Sequence, residues 1–354
     1  MKAYRRGDEN LAFLLRYENV AWYEAGVVRI LDRRIYPLKT EFVACHSYQE
    51  VAQAIADMVT QSAGPYYAAA MGMALAAWQC RDAADPLGFL TQAAYTLSHA
   101  RPTTAVRMET VTQGCLRAAE QALAAGRPLD QAIFDYSLAM LEARYRRIAQ
   151  TAVHLVDFFP KKGLIMTQCF AETIVGAMLR EADERGYDIA LICPETRPYL
   201  QGARLTASVA CDQGHEVTVI TDNMPGFALG QKDISLFTCA ADAITMDGHV
   251  VNKVGTFQIA MLAHYYHVPC YVTGAPDRQL PAIDSVTIEN RDPEQVLHFM
   301  GQRTAMPGVK GWYPAFDITP PEFITAVVTD QGPFSPLRLA EYFDRRDGDD
   351  GFLV

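Results

Sequence analysis

GLIMTQC (Gly163–Cys169), DIALICPETRP (Asp188–Pro198), EVTVITDNMPG (Glu216–Gly226), DAITMDGHVVNKVGT (Asp242–Thr256) and VPCYVTGAP (Val268–Pro276) are five short apolar runs in one stretch of the chain. Each ends in polar or glycine-containing residues, and helical sequence lies between them. Strands that are apolar throughout, separated by helices, suit a parallel sheet covered on both faces. Ligands of such sheets sit beyond the carboxyl ends of the strands. The polar residues of this stretch fall at those ends, and they include Cys169, Gln201, Asp222, Asp242, Asn252 and Lys253.

Outward from this stretch, the chain has 354 residues, half of them hydrophobic and a fifth charged, which gives room for two domains with a substantial core. A net charge of −10 argues against nonspecific nucleic-acid binding, which needs a basic surface, but leaves room for a small cationic pocket. The eight cysteines are scattered without metal-type spacing, as free thiols of a reducing cytosol would be. MKAYRRGDEN has no apolar core of a signal peptide, and Pro65–Cys80 falls short of the roughly 20 residues that cross a bilayer. These features point to a cytoplasmic protein without a membrane partner.

Residues 11–44 alternate between apolar and polar, with a turn at Tyr23–Gly26, and predict a small antiparallel sheet. Ser47 and Glu50 form a capping-box pattern opening a helix to about Gln61. AAAMGMALAAWQ reads as a helix packed through small residues. Two more helices occupy 84–125, broken at SHARPTT, and Leu129–Phe159 is a long helix with one apolar stripe. The expected organisation is a sheet-and-helix domain over 1–128, a connecting helix over 129–160 and a Rossmann-like domain over 161–354. The site is expected between the two domains.

Several residues suit chemistry. Cys169 precedes a helix start expected at Phe170–Thr173, a place that tends to lower a thiol's pKa, although most cysteines merely fill space. Asp242 enters an apolar run, which is costly unless the carboxylate is paired or functional; a turn carboxylate is the commoner case. Asn252 and Lys253 lead into a helix whose free N–H groups, with the lysine, would suit a phosphate. Arg101 stands beside another helix start. Gln201 and Arg204, with Asp222 and Asn223, are placed to shape a pocket, and Arg197 to fix loops.

ETRPYLQGARLTA (195–207), VITDNM (219–224) and DGHVVNKVGTFQIAMLAHYYHVPCYVTGAP (247–276) closely resemble the methylthioribose-1-phosphate isomerases. That group is related to the ribose-1,5-bisphosphate isomerases and to the alpha, beta and delta regulatory subunits of initiation factor 2B. The likeness continues in ENRDPEQV (289–296) and YPAFDITPPEFITAVVTDQG (313–332), with weaker echoes in VVRILDRRIYP (27–37) and ARPTTAV (100–106). It implies an α/β fold with a small antiparallel sheet plus helices at the N-terminus and a Rossmann-like parallel sheet at the C-terminus. It also implies a homodimer through the C-terminal domain and an aldose–ketose isomerase of a sugar 1-phosphate, with no metal or organic cofactor. By this likeness Cys169 and Asp242 are catalytic, while Arg101, Gln201, Asn252 and Lys253 bind substrate or its phosphate; the isomerisation calls for Cys169 as the acid, kept a thiol by apolar surroundings, and for Asp242 as the acceptor of the 2-hydroxyl proton.

The pattern also departs from that family. Its Arg-Gly-Ala-Pro segment is here QSAGPYY (61–67), without the arginine; the Asn-Ala-Gly after its cysteine is Phe170-Ala171-Glu172; its preceding histidine is Gln168; and Ala240 and Ala243 replace the glycine and arginine around its aspartate. Glu172 is expected at the pocket rim, where it would disfavour phosphate. Three readings follow. The first is isomerisation of S-methyl-5-thioribose 1-phosphate to the ribulose 1-phosphate. The second is the same chemistry on 5-deoxyribose or ribose 1-phosphate, and the third a non-enzymatic subunit sensing sugar phosphates or nucleotides.

Overall fold

The computed structural model describes residues 6–101 and 105–345. The chain forms two compact units that divide between Arg146 and Arg147.

In the N-terminal unit, a short helix α1 (Tyr17–Val20) leads into strands β1 (Ala21–Glu24), β2 (Val27–Leu31) and β3 (Phe42–Cys45), an antiparallel sheet in that order. The β1–β2 connection is the two-residue turn Ala25–Gly26, both with positive φ, which matches the twist of a tight hairpin. Helices α2 (Tyr48–Ala56), α3 (Gly64–Gln79), α4 (Pro86–Ser98) and α5 (Ala105–Ala124) follow. The Ser47 hydroxyl accepts from Glu50 N at 3.2 Å, so the capping-box start forms, but α2 stops at Ala56 and not near Gln61, because Met58 turns to φ +60°. Helix α3 is buried on all sides from Gly64 to Ala77. A Cβ on Gly72 would press on Leu97 and Val51 at 3.0 Å, so this glycine serves close packing. Helix α6 (Leu129–Val156) runs from this unit into the next.

The C-terminal unit is built on a seven-stranded sheet. Its strands are β4 (Lys162–Met166), β5 (Asp188–Pro194), β6 (Val217–Ile220), β7 (Ile234–Ala240), β10 (Cys270–Thr273), β14 (Ala326–Thr329) and β15 (Gly332–Phe334), in the spatial order β15-β14-β10-β7-β4-β5-β6. All neighbours pair in parallel except β14–β15. Counted from β4, the six parallel strands run 3-2-1-4-5-6, the order of a doubly wound dinucleotide-fold sheet. Helices α7 (Thr173–Glu184), α8 (Ala207–Asp212), α9 (Pro225–Gln231) and α10 (Thr256–Tyr265) connect the strands. The core includes Met166, Ile192, Phe237, Val272 and Val327, each almost wholly buried, at about 1.5–3 kcal/mol per large side chain.

One strand expectation is corrected. The fourth parallel strand is ISLFTCA (234–240), and not the run from Asp242 to Thr256. Asp247-Gly248 breaks that run into a hairpin of β8 (Ala243–Ile244) and β9 (Val250–Lys253), with Gly248 at φ +91°. Strand β13 (Phe316–Thr319) adds antiparallel to β9 and completes a separate three-stranded sheet. Between β10 and β13 lie helix α11 (Glu294–Leu297) and the hairpin of β11 (His298–Phe299) and β12 (Gln302–Arg303); α12 (Ala340–Asp344) closes the described chain.

Candidate active site

The strand order reverses between β4 and β7, and this is where an open sheet of this order leaves a crevice beyond its carboxyl ends. Cys169 follows β4 and Asp242 follows β7, so the two candidate catalytic residues flank that point. Asp242 is an exposed turn residue past the strand; its N–H donates to Val251 O at 2.9 Å.

Cys169 is held in a left-handed backbone conformation, φ +59°, which a non-glycine residue adopts only under constraint. Part of the constraint is Thr206, whose Oγ1 donates to Cys169 O at 2.5 Å. Thr206 ends a π-helical turn, Gly202–Thr206, after Gln201. A Cβ on Gly202 would lie 1.8 Å from Pro194 O, so only glycine lets this turn close on the end of β5.

Of the two influences expected on the cysteine, a helix start that lowers its pKa and apolar surroundings that keep it a thiol, the structure gives the second. Helix α7 begins at Thr173, so its N-terminus does not reach Cys169 as expected. Burial dominates and pushes the thiol up to about 11; Lys253 opposes this, Asp242 adds to it, and Arg291 opposes it more weakly. At neutral pH Cys169 is therefore a thiol with a proton to give. It shares a small pocket with apolar Leu155, Ile174 and Met178 and with Gln168, Thr206 and Cys239.

Lys253 is 3% exposed, its Nζ 3.5 Å from the Tyr313 hydroxyl and 5.0 Å from the Phe316 ring centroid. Asn252 is buried beside it and donates through Nδ2 to Thr256 Oγ1 at 3.0 Å. These two residues do not open the helix; they end β9. Nor are the first N–H groups of α10 open to a phosphate, because the Asp317 carboxylate takes Gly255 N at 2.6 Å and Phe257 N at 3.2 Å. Burial, against those helix N–H bonds and Lys253, raises the Asp317 carboxyl to about 6. The positive charge at this corner is that of Lys253, not of the helix start.

The Asp222 carboxylate is spent on Thr196 N and Arg197 N, both at 2.7 Å, and Asn223 accepts from Thr221, so both hold turns. Arg197 donates to His298 O at 2.7 Å and fixes the loop as read. Arg204 donates to Tyr199 O at 3.2 Å. Glu172 is buried, 2% exposed, and does not stand on an open rim. Arg101 belongs to the N-terminal unit and is the last residue described before 102–104; the rest of its motif, Pro102 to Thr104, lies outside the described residues.

Sequence reasoning assigned no role to Arg291 and Tyr313. Arg291 pairs with Glu289 at 2.9 Å, lies over the rings of Tyr199 and Phe316, and hydrogen-bonds Tyr313, whose own hydroxyl burial pushes up to about 12. Strand β13 brings this wall to Lys253, with Phe316 opposite Lys253 in register. Among the described residues no group of three or more His, Cys, Asp or Glu is arranged to hold a metal ion, and no helix is long and apolar enough to cross a membrane.

A profile described as the initiation factor 2 subunit family matches residues 67–336. The chain is 38% identical over 332 residues to a methylthioribose-1-phosphate isomerase of Anaeromyxobacter sp. (strain Fw109-5), covering 89% of this chain and 95% of that one. It is 36% identical over 335 residues to one of Roseiflexus sp. (strain RS-1), covering 89% and 94%. Among solved structures, 5-methylthioribose 1-phosphate isomerase from Pyrococcus horikoshii OT3 superposes with a TM-score of 0.83 at 28% identity, over 97% of this chain and 98% of that one. Translation initiation factor eIF-2B, subunit delta, from A. fulgidus gives 0.77 at 28% identity, over 90% and 96%. The family segments quoted from the sequence are those that carry Lys253, Arg291 and Tyr313 here, and the chain belongs to the initiation factor 2 subunit family, together with the methylthioribose-1-phosphate isomerases it matches along most of its length.

Proposed function

We propose that this protein is an aldose–ketose isomerase that converts S-methyl-5-thioribose 1-phosphate to the corresponding ribulose 1-phosphate. The observation that carries the reading is the placement of a half-buried thiol, its pKa pushed up, and a carboxylate just past the two strands where the sheet order reverses. The named activity of the isomerase relatives supports it. The apolar lining beside Cys169 favours a sugar with an apolar 5-substituent over a free 5-hydroxyl.

The chemistry follows from the substrate. A sugar 1-phosphate cannot open to a free aldehyde, because the anomeric oxygen is blocked. Cys169 gives its proton to the ring oxygen as the C1–O4 bond breaks. Asp242 takes the proton of the 2-hydroxyl, and the hydrogen of carbon 2 moves to carbon 1, as a hydride or through an enediol. The carbonyl forms at carbon 2. A proton returned from the Asp242 carboxyl to the Cys169 thiolate, through solvent, resets the site. Arg101, Gln201, Asn252 and Lys253 are assigned to the phosphate and the hydroxyls, and the expected assembly is a homodimer.

Purified protein is assayed by phosphorus and proton NMR with methylthioribose 1-phosphate, 5-deoxyribose 1-phosphate and ribose 1-phosphate in parallel. Highest efficiency on the first is expected. Cys169→Ser and Asp242→Asn should each lose about 10²–10⁴-fold in kcat, the range of a general acid or base. Folded protein that converts none of the three substrates would overturn the isomerase reading.

A further inference from the structure

Three buried side-chain atoms in or next to the segments that position Cys169 have no hydrogen-bond partner among the described residues: Gln168 Oε1, Thr173 Oγ1 and Gln201 Oε1. Buried polar atoms are nearly always satisfied, and several left open on adjoining segments mark a place where a ligand supplies the partners. Gln168 is the informative one. It is 3% exposed and lines the same pocket as Cys169. Its amide nitrogen donates to Val254 O at 3.3 Å, so the amide cannot be turned over without setting two carbonyl oxygens against each other. Gly255 leaves room for this contact: at φ +103°, a Cβ there would come within 3.0 Å of Gln168 Nε2. The open end is therefore the carbonyl oxygen, which only accepts. An ionised phosphate cannot satisfy it; a hydroxyl can.

We propose that Gln168 is a specificity-determining contact of this site, its side-chain carbonyl oxygen accepting a hydrogen bond from the 3-hydroxyl of the ribose ring. This rests on the isomerase reading. There the ring oxygen is matched to Cys169 and the 2-hydroxyl to Asp242, so the 3-hydroxyl is the remaining ring donor, and Gln168 adds an acceptor for it to the residues assigned to the phosphate and the hydroxyls. A site built to bond a hydroxyl discriminates against the analogue without it, because the protein oxygen is then buried and unpaired.

The test is a cycle of protein and substrate. The parent protein and Gln168→Met are each assayed on methylthioribose 1-phosphate and on its 3-deoxy analogue. The parent is expected to prefer the hydroxylated substrate by about tenfold or more in kcat/KM. Gln168→Met is expected to lose a similar factor on that substrate and to lose nothing further on the analogue. Gln168→Leu, which removes the acceptor with a different apolar shape, should lose the discrimination in the same way; its doing so separates the hydrogen bond from a packing effect. An active parent with losses that simply multiply, or a Gln168→Met protein with full preference for the hydroxyl, overturns the assignment and leaves the isomerase reading standing. A folded parent that converts no sugar phosphate overturns both.

Discussion

At the scale of single residues, the protonation of Cys169 decides what it can do. A thiol poised as a nucleophile is held near or below neutrality, whereas this one is pushed up to about 11 by burial, with Lys253 pulling it down and Asp242 pushing it up. The charges make a directional prediction independent of any substrate. Lys253→Met keeps the aliphatic stem and removes the charge, so the thiolate fraction at a given pH falls. Asp242→Asn removes a negative neighbour, so it rises. Alkylation of Cys169 by iodoacetamide near pH 9, followed by peptide mass mapping, should slow severalfold in the first variant and quicken in the second. Equal rates in all three proteins would mean that neither charge faces the thiol. The cysteine was legible from its place after an apolar strand, and so was a thiol kept protonated by apolar surroundings; the opposing pull expected of a helix start was not realised, because that depends on how far the helix begins from it.

At the scale of elements, the small sheet of β8, β9 and β13 is the piece that sequence reading misplaced. DAITMDGHVVNK is apolar enough to pass for a strand of the main sheet, and its Asp247-Gly248 turn is the signal that splits it. ISLFTCA, the strand that does enter the sheet, follows directly on the polar end of α9 and runs into Ala241-Asp242 without a glycine or proline to close it. The other four early strands stand out because each is bounded by such residues. What no local pattern reveals is that β13 pairs with β9 and so brings Arg291, Tyr313 and Asp317 to Lys253. Asp317 tests this junction. Its carboxylate satisfies two N–H groups at the start of α10, so Asp317→Ala should cost about 1–2 kcal/mol, read as a lower urea midpoint with an unchanged slope. The pH dependence has a definite sign. The folded-state pKa of about 6 lies above the unfolded value of 3.8. The folded protein therefore holds a proton in that window that the unfolded chain has released, and stability from this group is full below the lower value and lost as pH rises through the upper. The margin of the parent over Asp317→Ala should grow as pH is lowered from 7 to 4; a margin independent of pH would place the Asp317 pKa at its ordinary value.

At the scale of the whole molecule, the feature still without a partner is an apolar face on the C-terminal unit. Helices α9 and α10 pack closely, Gly226 against Leu262 and Gly230 against Tyr266. Their outer sides carry Met224, Phe227, Met261, Tyr265 and Tyr266, with Phe227 71% and Tyr265 73% exposed. Single exposed apolar residues are ordinary, but five on two adjoining helices and their caps form the kind of patch that marks an interface. The homodimer expected through this unit gives the patch an occupant, a second copy of the same surface, since a twofold contact sets one patch against itself. Phe227→Glu combined with Tyr265→Glu would place two carboxylates per chain in the centre of that contact, each facing its own kind across the axis. Light scattering on the parent should then give twice the chain mass and on the double variant the mass of one chain, with an unchanged far-ultraviolet circular dichroism spectrum. A parent that is a single chain at micromolar concentration would remove the homodimer. A variant that stays dimeric would move the interface off these helices, and the exposed apolar residues near Phe299, Met306 and Trp312 would be the next surface to probe.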